Sequence, residues 1–137
     1  MLIVDDNYFD SVALMGLFEQ YQLSVENAYD GLKAFDMVKK RFESTGSTYK
    51  LIMMETVMSI CNGCDSTRMI RRYLNEQAPQ LQQPLIIGMT NNHAEQYTKQ
   101  AMLAGMDLFC TKPIWKSIVV SILKKAKLSQ QNDRNHH

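Results

Sequence analysis

Five side chains in this sequence stand where short apolar runs stop, and together they form an inventory suited to metal or phosphoryl chemistry. Leu2-Ile3-Val4 is followed by Asp5 and Asp6, and Leu51-Ile52-Met53-Met54 by Glu55. Leu85–Met89 is followed by Thr90, and Leu108–Cys110 by Thr111, Lys112 and Pro113. Three carboxylates crowded together repel, so they persist as a group only with a counter-charge, a raised pKa or a bound cation. Oxygen ligands without His or Cys favour Mg²⁺ or a similar hard ion. Beside such an ion, Lys112 would set positive charge and Thr90 a hydroxyl donor against a phosphoryl group. Taken singly, an Asp after a strand is as readily an N-cap or Asx-turn residue, Thr90 a cap and Lys112 a solvated cation. Only their conjunction behind four separate runs points to one joint site.

For these residues to meet, the runs must be neighbouring strands, and the rest of the chain reads as the helices between them. Strands are predicted over 2–4, 24–28, 51–54, 85–89 and 108–110. Apolar residues at helical spacing predict a helix over Phe9–Leu23, carrying Val12, Met15, Leu17, Phe18 and Tyr21. A second carries Leu32, Phe35, Val38 and Phe42, with Lys39, Lys40 and Arg41 on its wet side. The third runs over Asp65–Glu76 with Arg68, Arg71 and Arg72 exposed, and the fourth over Asn92–Leu103, stopped by Gly105. The last spans Ile114–Lys127, with Ile118, Val119, Ile122 and Leu123 facing inward. Residues 43–50 and 59–63 read as loops, Asp30-Gly31 as a turn, and 77–84 as a Gln-rich linker. Five strands alternating with five helices make this an α/β chain with a five-stranded parallel sheet joined by right-handed crossovers. Sites in such sheets form beyond the carboxyl ends of the strands, where all five side chains fall.

Composition removes several alternatives. The 137 residues suit one domain, set here at 1–128, followed by a polar, disordered tail at 129–137 whose His136-His137 reads as the remnant of a purification tag. With 15 Lys+Arg against 14 Asp+Glu, the net charge of +1 leaves no footprint for nucleic acid. No apolar run nears the roughly 18 residues needed to cross a bilayer, and no signal peptide opens the chain. Three cysteines indicate a reducing, cytoplasmic setting rather than a disulfide scaffold. A glycine-rich phosphate loop is missing, which argues against a nucleotide-dependent enzyme. Met53, Met54, Met89 and Met106 belong to core segments, Cys110 is a small strand residue, and His93 is a surface residue at a helix start.

In order and spacing, Leu2-Ile3-Val4-Asp5-Asp6-Asn7, Leu51–Glu55 with Met58 and Asn62-Gly63, Met89-Thr90, Gly105-Met106-Asp107 and Thr111-Lys112-Pro113 resemble the receiver domain of two-component response regulators. The resemblance covers residues 2–127. It implies a flavodoxin-like, doubly wound (βα)5 fold with strand order 2-1-3-4-5. It implies Mg²⁺ held by Asp5, Asp6, Glu55 and the main-chain carbonyl of Val57. Thr90 would be the switch hydroxyl, Phe109 the switch aromatic and Lys112 the phosphoryl-contacting cation, with a cis bond before Pro113. The implied partners are a histidine kinase or a histidine phosphotransfer protein, met through the face of the fourth helix, fifth strand and fifth helix. No nucleic-acid or membrane contact is implied, and homodimerisation is left open. The domain is expected to be regulatory rather than a turnover enzyme, and to be either a stand-alone cytoplasmic receiver or a piece of a larger protein such as a hybrid histidine kinase, tethered in that case to a membrane-anchored kinase.

One residue departs from that family in a way that bears on mechanism. The family has Asp where this chain has Glu55, and that Asp is the nucleophile that accepts the phosphoryl group. One more methylene moves the carboxylate outward by about 1.5 Å, and misplacements near 1 Å can cost about 100-fold in rate. Ser59 stands where Pro is usual, and Asn91 is bulkier than the Ala or Gly common after the switch hydroxyl. The expected function is therefore a phosphorelay receiver degenerate in phosphoryl acceptance. The alternatives are acceptance on Glu55 itself, or a thiol-disulfide role for Cys61 and Cys64, whose C-x-x-C spacing opens a helix where thiol pKa values fall.

Overall fold

The computed structural model describes residues 1–91 and 95–135. Strands and helices alternate as β1 (Leu2–Val4), α1 (Tyr8–Glu19), β2 (Glu26–Ala28), α2 (Gly31–Thr45), β3 (Leu51–Glu55), α3 (Gly63–Gln77), β4 (Leu85–Thr90), α4 (Glu95–Ala104), β5 (Leu108–Thr111) and α5 (Lys116–Asn135). Every strand pairing is parallel and the order is β2-β1-β3-β4-β5, the doubly wound, flavodoxin-like arrangement. The runs of β1, β3 and β4 are apolar throughout because both faces of the sheet are covered. Alternate residues go to opposite sides, as the period of two requires. Leu2, Val4, Ile52, Met54 and Ile86 pack on Ala34 and Val38 of α2, Ile70 and Leu74 of α3, and Ala101 of α4. Ile3, Leu51, Met53, Ile87 and Met89 pack on Leu14 and Phe18 of α1 and on Val119 and Ile122 of α5. Met53, Met54, Met89 and Met106 are all buried, so packing accounts for them.

Polar residues decide where the helices start. Asn7, Asp30 and Asn62 each turn a side-chain oxygen onto the backbone N–H three residues ahead, at Asp10, Lys33 and Asp65. Such a cap typically contributes about 1 kcal/mol. Asp30-Gly31 and the Asn62-Gly63 pair, read from sequence as turns, are therefore helix N-termini.

Several boundaries differ from the sequence reading. The first helix stops at Glu19 instead of Leu23, and Gln22 takes a left-handed φ of 62° in the turn that follows. The second runs through 43–45, assigned to a loop, and ends only where Gly46 supplies a left-handed C-cap at φ 72°. The last helix continues to Asn135, past the tail expected from 129; no Gly or Pro interrupts that stretch. Asn92 and His93 lie outside the described residues, as do His136 and His137. Val12 and Leu32, placed on inward stripes, are exposed, while Ser11, Leu14 and Phe18 face the sheet from α1.

Arg71, expected on a wet face, is instead a half-buried clamp. Its guanidinium donates to the carbonyls of Gly105 (2.9 Å) and Pro84 (2.7 Å) and to Asp107 Oδ2 (2.8 Å). The same Asp107 oxygen accepts from the Ile86 N–H at 2.8 Å. This network ties α3 to the segments on either side of β4.

Two glycines in helices meet opposite surroundings. A Cβ on Gly63 would strike the Glu55 carbonyl oxygen, whereas a Cβ on Gly16 would meet nothing within 4 Å. Gly63→Ala is expected to destabilise by about 1–3 kcal/mol through forced backbone movement, and Gly16→Ala to stabilise by roughly 0.5–1 kcal/mol. Urea unfolding of the two variants checks both signs.

Candidate functional site

The carboxyl ends of β1, β3, β4 and β5 open on one cleft of about 310 Å³, lined by Asp5, Asp6, Asn7, Asp10, Glu55, Val57, Thr90, Asn91 and Lys112. Backbone hydrogen bonds fix this rim. The Asp5 N–H donates to Ala28 O (3.1 Å), the Thr56 N–H to Met89 O (2.9 Å) and the Lys112 N–H to Thr90 O (2.7 Å). The peptide bond between Lys112 and Pro113 is cis, as the resemblance implies. Asp5, Asp6, Glu55, Val57, Thr90 and Lys112 thus share one pocket. Phe109 does not join them. Its ring lies over Gly88, where a Cβ would come within 2.8 Å of Phe109 Cδ2, and packs on the α2–α4 side of the sheet.

At the centre is the Lys112 ammonium, with three carboxylates around it. Nζ lies 2.6 Å from Asp5 Oδ2, 2.6 Å from Glu55 Oε2 and 3.0 Å from Asp10 Oδ2. The first and last are hydrogen bonds; Glu55 Oε2 makes an ion contact but accepts no hydrogen bond. The side chains of Lys112, Asp5 and Glu55 are 10%, 2% and 5% exposed, so water screens these charges little. Burial alone would lower the Lys112 pKa, but its contacts with Asp5 and Glu55 outweigh that and hold it above the ordinary lysine value. Burial raises the Glu55 carboxyl, and the single ammonium, shared with two other carboxylates, does not reverse this. Deleting one partner of such a buried group commonly costs about 3–5 kcal/mol.

Sequence reasoning missed Asp10. It enters from the first turn of α1, capped by Asn7, whose Oδ1 accepts the Asp10 N–H at 3.1 Å. The available signal was its place one turn into a helix that begins at the acidic strand end. The outer oxygens of the buried carboxylates are also engaged. Asn7 N–H donates to Asp5 Oδ1 (2.9 Å) and Val57 N–H to Glu55 Oε1 (3.3 Å). Asp6 is exposed, and its Oδ2 lies 3.4 Å from the Ser59 N–H. Asp5, Asp6, Glu55 and Val57, the set implied for Mg²⁺, line this one cleft, and their carboxylate and carbonyl oxygens suit that ion chemically.

The thiols give no support to a redox role. Cys61, Cys64 and Cys110 are all unpaired, and burial raises each pKa, to about 11 at Cys110, the reverse of an activated thiolate. No helix among the described residues is long and apolar enough to cross a membrane.

Glu55 provides a pH test. Because its folded pKa lies above the ordinary value near 4.5, its stabilising contribution is full below that value and is lost as pH rises through the folded pKa. Glu55→Gln stays neutral throughout, so its thermal midpoint relative to wild type should climb between about pH 4 and pH 7. Paired unfolding scans across that range measure the difference; a constant or falling one contradicts the assignment.

Comparison with known proteins agrees with this geometry. Residues 1–124 match the family model described as the response regulator receiver domain. The osmosensing histidine protein kinase SLN1 of Saccharomyces cerevisiae is 30% identical over 137 residues, which cover 99% of this chain and 11% of that kinase. The chain therefore spans about a tenth of that relative's length. Among solved structures, the complex of the S. cerevisiae phosphotransfer protein Ypd1 with the receiver domain of Ssk1 aligns at TM-score 0.73 and 22% identity, covering 91% of this chain and 83% of that one. The CheX–CheY–BeF3–Mg²⁺ complex of Borrelia burgdorferi aligns at TM-score 0.72 and 20% identity, covering 90% and 85%. An acidic rim at the strand ends of a 2-1-3-4-5 sheet, matched by a family model over nearly the whole chain, makes this protein a member of the response regulator receiver domain family.

Proposed function

We propose that this chain is the receiver module of a hybrid histidine kinase, docking a histidine phosphotransfer protein while its own Glu55 accepts phosphoryl poorly or not at all. The observation that carries this reading is the engagement of both Glu55 oxygens, Oε1 by the Val57 N–H at 3.3 Å and Oε2 by Lys112 Nζ at 2.6 Å. A nucleophilic carboxylate needs an oxygen aligned on the incoming phosphorus, and misplacement near 1 Å costs about 100-fold. Glu55 stands at the phosphoacceptor position of the family pattern, with Thr90 and Lys112 as the hydroxyl and cation that would face a phosphoryl group. Phe109 is the switch aromatic in this reading, and its inward seat over Gly88 suits an unactivated form.

The partner reading draws on the relative and on the surface. The S. cerevisiae receiver of Ssk1 was solved with the phosphotransfer protein Ypd1. Here Phe9 is 81% and Tyr8 60% exposed at the start of α1, directly beside the acidic rim. Tyr8 stacks edge-on to Phe9 at 5.8 Å and approaches Tyr29 at 6.3 Å, so the three rings form one apolar patch. Exposed aromatic clusters of this kind commonly anchor interfaces. This shifts the expected docking face from α4, β5 and α5 toward α1.

Two arms test the proposal. After incubation with a small phosphodonor and Mg²⁺, intact-mass analysis should find no acylphosphate; stoichiometric phosphate on Glu55 would overturn the degenerate reading. Binding to Ypd1, followed by calorimetry, should weaken about tenfold or more in Phe9→Ala. An unchanged affinity, or no binding by the wild type, would overturn the docking reading.

A further inference from the structure

We infer that a second cleft, at the amino-terminal end of the sheet and opposite the acidic rim, binds a small organic monocarboxylate with an apolar body. The cleft encloses about 440 Å³, a volume within the range of small-molecule sites. Its walls are parts of the chain that the proposed function leaves unused. One is residues 47–50, which lead into β3; the other is the end of the Gln-rich linker, residues 81–84, which leads into β4. The Leu85 N–H donates to Lys50 O at 2.8 Å, so the two walls are joined where the strands begin. Because the cleft lies at the far end of the strands from Glu55, a ligand there competes neither with phosphoryl chemistry nor with docking at α1.

The linker wall is fixed before any ligand arrives. Gln83 Nε2 donates to Arg71 O at 3.1 Å, while Arg71 Nη1 donates back to Gln83 Oε1 at 3.3 Å and to Pro84 O at 2.7 Å. A wall held in this way spares a ligand the cost of ordering it. The charges of the lining set the class of ligand. Arg71 is matched by Asp107 at 2.8 Å, whereas the exposed Lys50 pairs with no carboxylate among the described residues. One positive charge is thus left over, which suits a single carboxylate better than a phosphate dianion beside Asp107. Thr48 points the same way. It lines the cleft partly exposed, yet its hydroxyl oxygen is buried without a hydrogen-bond partner among the described residues. A turn about its Cα–Cβ bond toward the cleft would let that hydroxyl donate to a ligand oxygen, a gain open only to the loaded site. Leu81, Leu85 and Ala126 supply apolar surface for the body of the ligand.

Titration followed by amide ¹H–¹⁵N NMR tests this, with benzoate as the carboxylate probe, benzamide as its neutral match and inorganic phosphate as the doubly charged one. Millimolar benzoate should shift the N–H signals of Lys50, Gln83 and Leu85 and leave those of Asn7 and Val57, at the acidic rim, in place. Benzamide and phosphate should bind about tenfold more weakly. Lys50→Glu, a change at an exposed position that the fold tolerates, should weaken benzoate about tenfold, and Lys50→Arg should bind it as the wild type does. Thr48→Val should keep or raise the thermal midpoint, because it removes an unpartnered hydroxyl, and still bind benzoate more weakly. The inference is overturned by no shift with millimolar benzoate, by shifts confined to the rim, or by equal binding of benzamide or phosphate. An affinity unchanged in Lys50→Glu or in Thr48→Val overturns it as well. Each of these failures leaves phosphoryl acceptance and docking at α1 untouched, so the proposed function stands or falls separately.

Discussion

One nearly dry ammonium among three carboxylates, two of them buried and the third half-exposed, is the interaction on which the rest of this structure turns. Charges of one sign at the rim of a sheet repel, and burial makes each of them costly unless a partner is close. Lys112 is that partner, and the fold is what brings it there: the acids arrive from β1, α1 and β3, the base from the far end of β5. A parallel sheet with helices on both faces points all its strand ends one way, so residues more than a hundred positions apart meet without any local signal joining them.

The surroundings of Glu55 carry the functional argument. Gly63 lies so close to the Glu55 carbonyl that only a glycine fits, and the Gly63 N–H returns to Thr56 O at 3.0 Å, so the loop after β3 folds back on the strand end. That loop presents the Val57 N–H to one oxygen of the longer side chain while Lys112 takes the other. A receiver scaffold built this way keeps its shape with a carboxylate that serves as an internal ion-pair partner. The aromatic patch on α1 begins two residues beyond Asp6, so the charged rim and the apolar surface are adjacent parts of one face.

Much of this was legible in the amino-acid order. Short apolar runs with no polar interruption mark strands buried on both faces, and the first one or two residues after each run are by geometry at the rim, which is how Asp5, Asp6, Glu55, Thr90 and Lys112 were found. Asp10 did not, because its role depends on how far α1 is rotated against the sheet. The inward face of that helix is set by Ser11, Leu14 and Phe18 rather than by Val12, and a small buried Ser carries no hydrophobic signal. Arg71 was misread for a related reason: its guanidinium is buried by carbonyls of distant loops, which helical periodicity does not register. The helix end misplaced at Thr45 was decided by the left-handed cap at Gly46 and not by the apolar pattern, while α1 ends at Glu19 ahead of a turn in which Gln22 is left-handed.

The most direct measurement of the central claim is the side-chain ¹⁵N signal of Lys112. An ammonium held by three carboxylates exchanges its protons slowly, so the account predicts a protected Nζ resonance at neutral pH. A resonance lost to rapid exchange with water would contradict it.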